Sequence, residues 1–403
     1  MRYIQEELGK KSLFKDVSKL DFDYVPEDLP HREGQLRALA RMFGPILESP
    51  VSESLLITGS VGTGKTAISK RFLEDFRKYA QQRGTVVESV RVNCRQRRTS
   101  ASVLLKIVNH FQPGFPDRGF STDEMMDAIR KHIERSGCHL IVVLDEVDVL
   151  IKKSGSDLLY MFTRFDEEDS WLKGSLSLIC ISQYRVFDQL DAAARSTIGQ
   201  TNVIECGKYD APQLLAILEQ RVGLAFKENT VSSDALSLIS DTAAREGDAR
   251  MAIELLRNAG QDASDRGMEE IVPENVRSAK GSISTFEGKA EDLDQHESLT
   301  LLAVARVLKK GSAFATTGEV EKAYHRECEG REVRPRAHTQ FWGYLKSLDA
   351  QGFITTEKKT ANRQGTTSMI SLPDVAATDL IAMMEEHLDK GSTRPGRSGK
   401  PGK

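Results

Sequence analysis

The eight residues Gly59-Ser60-Val61-Gly62-Thr63-Gly64-Lys65-Thr66 follow the short apolar run "SLLIT" (54–58) and precede a stretch of helical period, 66–84. A G-x-x-x-x-G-K-T loop between a strand and a helix is a phosphate cradle. Its glycines let main-chain N–H groups wrap an anion with no Cβ in the way. The helix N-terminus adds its positive dipole. Lys65 is placed to reach the outer phosphates of ATP or ADP, and the Thr66 hydroxyl to ligate Mg²⁺. Gly59, Val61, Gly62, Thr63, Gly64, Lys65 and Thr66 are therefore candidate nucleotide-binding residues. A chain with this feature must build a parallel sheet that ends in the loop.

The rest of the first half fits that demand. "TVVESVRVN" (85–93), "HLIVVLDEVD" (139–148), "SLSLICIS" (175–182) and "TNVIEC" (201–206) read as strands. Helical patterns lie over 31–47, 99–111 and 122–136. Strands alternating with helices predict an α/β fold with helices on both faces of a parallel sheet. Asp145 and Glu146 close an apolar run, where a buried strand opens into a site. Asp145 is expected to hold Mg²⁺ and Glu146 to act as general base on an attacking water.

After Lys208 the pattern becomes all-helical, with helices over 212–222, 234–245, 249–266 and 273–280, and 281–297 reads as a polar linker. From Leu299 to Leu372 there are twelve Lys/Arg against seven Asp/Glu. Three helical segments (299–308, 317–328, 338–351) precede two strand-like runs around "KKTANRQG", a hairpin with a basic tip. Phe341, Tyr344, Leu345 and Leu348 form one apolar stripe. Three helices and a hairpin describe a winged helix. Its third helix is expected in a major groove, and Lys358, Lys359 and Arg363 on phosphates or in a minor groove. The net charge of −3 leaves any DNA contact to such local patches. Residues 390–403, Gly/Pro-rich and basic, predict a disordered tail.

The five scattered cysteines (Cys94, Cys138, Cys180, Cys206, Cys328), with no C-x-x-C pair, read as reduced packing thiols rather than a zinc pattern. The charged N-terminus has no signal-peptide core, and no apolar run is long enough to span a bilayer. The expectation is a cytoplasmic, nucleoid-associated protein with no membrane partner.

The Asp-Glu pair and the helical unit after it resemble the AAA+ ATPases. That resemblance implies a polar sensor residue after "SLICIS", which is Gln183, and an arginine in the helical lid, which is Arg250. "LPHREGQL" (29–36), "VNCRQRRTS", "PGFPDRGFSTDEM", "KYDAPQLLAILEQR" (208–221) and "EGDARMAIELLRNAG" together resemble the archaeal replication initiators of the origin recognition complex and cell division control type. The resemblance covers roughly residues 20 to 385. It implies an adenine pocket at Pro30, His31 and Arg32, and lid contacts to nucleotide from Tyr209 and Arg221. It also implies an insertion over about 97–121 that touches DNA, with Arg118 and Gly119 at the contact. The partners it implies are origin duplex DNA, the replicative helicase and other initiator copies on DNA.

Two departures from the family pattern argue for slow ATP hydrolysis. Gln183 replaces the usual Asn, and Ala193 stands where Leu190-Asp191-Ala192-Ala193-Ala194-Arg195-Ser196 would carry an arginine. The expected organisation is an AAA+ core over 1–207, a helical lid over 208–285, a winged helix over 286–389 and the tail. The alternative for the same features is a nucleotide-gated winged-helix transcription or signalling regulator. A protein-remodelling motor is disfavoured, because no aromatic-apolar-Gly tripeptide occurs from Ala67 to Gln183.

Overall fold

The structure, a computed structural model, describes residues 12–165, 174–184, 186, 202–280, 293–309, 311–360, 366–372 and 375–392. These form two compact units, one of 23–213 with 246–249, the other of 12–22, 214–245 and the chain from 250 onward.

The first unit begins with α1 (Glu33–Phe43), β1 (Ser54–Thr58), α2 (Lys65–Gln82), β2 (Val87–Asn93), α3 (Ser100–Phe111), α4 (Thr122–Ser136) and β3 (His139–Asp145). It continues through α5 (Val147–Ser154), α6 (Asp157–Thr163), β4 (Ser175–Ser182) and β5 (Val203–Glu205). The strands are parallel, in the order β2-β3-β4-β1-β5. Every residue of β3 and β4 is buried, as continuous apolar strands require when helices cover both faces. Alternation along β3 sends Leu140, Val142 and Leu144 into a core with α3 to α6. Ile141 and Val143 go to the opposite face, into a core with α1 and α2.

Register aligns the strand ends. Thr58 pairs with both Ser182 and Glu205, and Asp145 with both Asn93 and Ile181. The loops after β1, β2, β3 and β4 therefore leave one edge of the sheet, the edge where open α/β sheets place their ligands. The helices start where their caps say. Thr99 and Ser102 cap α3 reciprocally, as Ser121 and Glu124 cap α4.

The second unit holds α7 (Ala211–Ala225), α8 (Ser233–Ala244), α9 (Ala249–Asp265), α10 (Pro273–Lys280) and α11 (Gln295–Leu308). Then come β6 (Ala315–Thr316), α12 (Thr317–Gly330), α13 (His338–Ala350), β7 (Thr355–Thr360), β8 (Thr366–Ser371) and α14 (Ala377–Ser392). Strands β6, β8 and β7 form an antiparallel sheet in that order. The stripe on α13 is seen at Phe341, Leu345 and Leu348, all fully buried. Tyr344 instead stacks on His296 at 5.7 Å.

Four stretches differ from the sequence reading. The lead-in is not simply extended: 12–22 carries a 3₁₀ turn, buries Leu13 and Leu20, and stacks Phe14 on Phe226 at 4.7 Å. Gly260 makes room there, since a Cβ would lie 2.7 Å from both rings. Helices α5 and α6 were not anticipated. The polar linker ends earlier, because Asp294 and Glu297 are the capping box of α11. The last helix reaches Ser392, inside the stretch expected to be a tail; 393–403 lie outside the described residues.

A buried joint ties α10 to the winged helix. The Glu274 carboxylate accepts from Ala377 N (3.1 Å), Thr378 N (2.8 Å) and the Thr378 hydroxyl (2.8 Å), capping α14. Arg277, 1% exposed, donates to Ser312 O at 2.7 Å and Ala313 O at 3.1 Å beside Glu274.

Candidate nucleotide site

The phosphate loop is shaped by its neighbours as well as by its glycines. Gly64 has φ +86°, and a Cβ there would lie 2.9 Å from the Tyr209 hydroxyl. Gly62 has φ +73°, and a Cβ would collide with the Asp248 carboxylate. Ala249 N donates to Gly62 O at 3.1 Å, so residues 246–249 lie directly on the loop. Thr63 is fully buried, and its hydroxyl donates to Ser60 O. Lys65 Nζ donates to Gly59 O at 2.6 Å and Ser60 O at 2.7 Å. Its charge thus rests on the loop carbonyls, over the concavity where phosphates bind.

Thr66 Oγ1 donates to Asp145 Oδ2 at 2.9 Å. Octahedral Mg²⁺ holds oxygens at about 2.0–2.1 Å, so two neighbouring ligands sit roughly 2.9 Å apart. The pair fits that ion. Asp145 also meets Arg91 at 3.2 Å, and Glu146 meets Arg95 at 3.2 Å. Sequence reasoning missed both arginines, which come from β2 and the loop beyond it. Glu146 has φ 57°, a left-handed backbone uncommon outside glycine, and sits at the N-cap position of α5 with no side-chain capping bond. The acidic field reaches Cys94, whose thiol is pushed up to about 12 by burial first and then by Asp145, Asp148 and Glu146. Gln183 follows β4 and lines a cleft with Thr58, Gly59, Ser60 and Cys206.

Arg32 is 5% exposed, and its guanidinium donates to Thr63 O (3.1 and 3.0 Å) and Gly207 O (2.8 Å). It stacks 3.8 Å from the Tyr209 ring. Burial raises the Tyr209 hydroxyl above its usual range. His31 is exposed with φ 62°, and Pro30 is half-buried. The structure thus brings Arg32, Tyr209, the loop, Asp145, Glu146 and Gln183 to one place. The two lid arginines have local partners: Arg221 donates to Lys19 O at 2.7 Å, and Arg250 lies 5.6 Å over Phe22.

Outside this site, Arg118 and Gly119 lie in an exposed turn between α3 and α4, with Gly119 at φ +97°. Thr339, Gln340, Gly343 and Lys346 are exposed on α13, whereas Trp342 packs against the core. Lys358 and Lys359 fall in β7. Arg363 and the Leu190–Ser196 run lie outside the described residues. Among the described residues, no helix is long and apolar enough to cross a membrane.

Three family models match the chain. They are an AAA domain over 52–186, a Cdc6 AAA+ ATPase-type lid domain over 215–281 and a CDC6 C-terminal winged helix domain over 288–381. The ORC1-type DNA replication protein of Thermococcus kodakarensis is 35% identical over 373 residues, spanning 91% of this chain and 89% of that one. The chain belongs to the ORC1-type DNA replication protein family. This ORC1-type chain is also similar to the crystal structure of Cdc6p from Pyrobaculum aerophilum, with TM-score 0.77 and 27% identity over 94% of this chain and all of that one. A further likeness is to the Aeropyrum pernix ORC1 protein in complex with DNA, with TM-score 0.62 and 31% identity over 95% and 98% of the two chains.

The ORC1-type chain is accordingly an AAA+ ATPase with a helical lid and a C-terminal winged helix. Membership of this family implies P-loop ATP hydrolysis.

Proposed function

We propose that this ORC1-type chain binds origin duplex DNA, helps recruit or load the replicative helicase beside other initiator copies, and uses ATP mainly as a conformational signal. The observation that carries the reading is the union, in one chain, of a phosphate loop with its acidic pair and a winged helix whose α13 exposes Thr339, Gln340, Gly343 and Lys346. In this reading residues 208–285 act as the lid and 286–389 as the winged helix.

ATP enters against Lys65 and Thr66, with Pro30, His31, Arg32 and Tyr209 on the adenine side. The family resemblance would give Arg221 and Arg250 roles in nucleotide binding. Thr66 and Asp145 would hold Mg²⁺, which would supply charge neutralisation to the phosphates. Glu146 takes the proton of the attacking water, and Gln183 orients that water. Residues 246–249 touch Gly62 and lead without a break into α9. A phosphate seated in the loop therefore acts on the start of a lid helix. Slow hydrolysis, from the long amide of Gln183, ends the signal.

DNA is gripped at two points, Arg118 with Gly119 in the first unit and Lys358, Lys359 and Arg363 in the second. The DNA named with the Aeropyrum pernix relative supports DNA binding as such. Each phosphate contact releases counterions, so Arg363→Glu should weaken binding and lower the salt slope by about one. Adding Arg118→Glu should lower both further, nearly additively, with footprint protection shrinking from the other side. An Arg118→Glu variant with unchanged affinity, slope and footprint, against an altered Arg363→Glu, would remove the first unit from the interface. The nucleotide-gated regulator would then be the better reading.

A further inference from the structure

Glu88, His132 and Cys138 come from three elements far from the phosphate loop in sequence. Glu88 is on β2, His132 in the last turns of α4, and Cys138 just before β3. One ligand atom of each lies within 4.8 Å of the others. His132 Nε2 is 3.2 Å from both Glu88 oxygens, and His110 Nε2, at the end of α3, is 4.0 Å from Glu88 Oε2. An ion pair accounts for Glu88 and His132. Cys138, fully buried in the core with α3 and α4, brings its thiol to the same pair.

The local chain is built to hold this arrangement. Gly137, with φ 63°, stops α4 and turns the chain back under its own last turn. Ser136 Oγ donates to His132 O at 2.7 Å and accepts from Cys138 N at 3.4 Å, clamping the turn. The Phe111 ring stacks on His132 at 4.1 Å and 10°, fixing the imidazole plane. Glu88 and His132 keep partial exposure, which gives a cation a way in, while Cys138 forms the floor.

We propose that Glu88, His132 and Cys138 bind a zinc-type divalent cation, with His110 facing the fourth position. Thiolate, imidazole and carboxylate together are ligands such an ion takes at about 2.0–2.3 Å. Tetrahedral bonds of that length put ligand atoms roughly 3.3–3.6 Å apart. The His132–Glu88 pair, at 3.2 Å, stands close to that spacing, and the thiol lies within 4.8 Å of both. Burial keeps the Cys138 thiol protonated at neutral pH in the bare protein. Cation entry expels that proton to solvent as the metal–sulfur bond forms, and Nε2 of His132 turns its lone pair to the ion while Nδ1 carries the proton. The bound ion would fasten α3 and α4 to the edge strand β2. The proposal is independent of the DNA reading.

The test is a cobalt titration of the full-length, chelator-stripped, nucleotide-free protein. One equivalent of a thiolate-to-cobalt charge-transfer band is expected, bleached by added zinc. Cys138→Ala should abolish the band, and His132→Asn should weaken cobalt binding by about tenfold or more, since even an outer-shell partner is worth tenfold or more. Nucleotide binding by each variant reports folding. Should Cys138→Ala fail that check, Glu88→Gln, a partly exposed position, takes its place, and unchanged affinity there overturns the proposal. A wild type with no thiolate band, or a band that survives in folded Cys138→Ala, also overturns it.

Discussion

Arg32 and Arg277 are both deeply buried, at 5% and 1% exposure, and both lie against main-chain carbonyls. Their settings differ in one respect. The hydrogen bonds described for Arg32 go to His31, Thr63 and Gly207 carbonyls, and its face lies on Tyr209. Arg277 has the Glu274 carboxylate 3.4 Å away, and burial still lowers its pKa, with Glu274 opposing. At the phosphate loop, Lys65 leans on weak, exchangeable carbonyl acceptors, those of Gly59 and Ser60. A phosphate that replaces those acceptors gains charge-assisted bonds of roughly twice the strength. The α10–α14 joint instead closes its charges internally. In the proposed reading, one region is preorganised for an anion that comes and goes, and the other for permanence.

Two substitutions should break this contrast at each end. Lys65→Ala removes the charge that reaches the outer phosphates. Two charge-assisted bonds are together worth about 3–6 kcal/mol, so filter binding should show ATP retention falling by roughly 10²–10⁴-fold. Stability without nucleotide should hardly move. Arg277→Ala should do the reverse, leaving ATP affinity intact and costing about 3–5 kcal/mol in urea unfolding, because it strands the Glu274 carboxylate in a buried site. If Arg277→Ala also cost nucleotide affinity, or Lys65→Ala destabilised the bare protein, the division of labour would be wrong.

A third substitution sharpens the loop side. Glu146→Gln fills the same space but cannot take a proton. ATP should stay bound while turnover falls by about 10²–10⁴-fold, the usual span for loss of a general base. Turnover that persists in a steady-state assay would move the base elsewhere.

Much of this was legible in the sequence because it is written locally. The phosphate loop is contiguous, β3 and β4 are continuous apolar runs, and the Ser121/Glu124 and Thr316/Glu319 capping boxes mark helix starts. What was hidden depends on partners distant in sequence. Helix α14 takes its N-terminal cap from Glu274, about a hundred residues earlier. Residues 12–22 have no helical period and find their apolar partner at Phe226. The capping box of α11 passes for linker because its first turn is polar. Helices α5 and α6 are short and parted by Gly155, too brief for a clear period. Arg91 and Arg95 reach the acids only because β2 lies beside β3 in register.

The smallest expected effect concerns Gln183. It leaves β4 beside Gly59 and Ser60, where the family pattern has Asn. The extra methylene extends the amide by about 1.5 Å, one carbon–carbon bond. A misplacement of about 1 Å near reacting atoms can cost up to 10²-fold, although a flexible side chain recovers part of that by choosing another rotamer. Gln183→Asn should therefore raise the single-turnover hydrolysis rate by roughly three- to tenfold, with ATP affinity unchanged, since the amide acts on the water rather than on the phosphates already held by Lys65. A rate that stays level or falls would mean that Gln183 already orients the water well. The cause of the slow turnover proposed above would then have to be sought at Ala193, where the family pattern carries an arginine, and a rise in rate on supplying Ala193→Arg would locate it there.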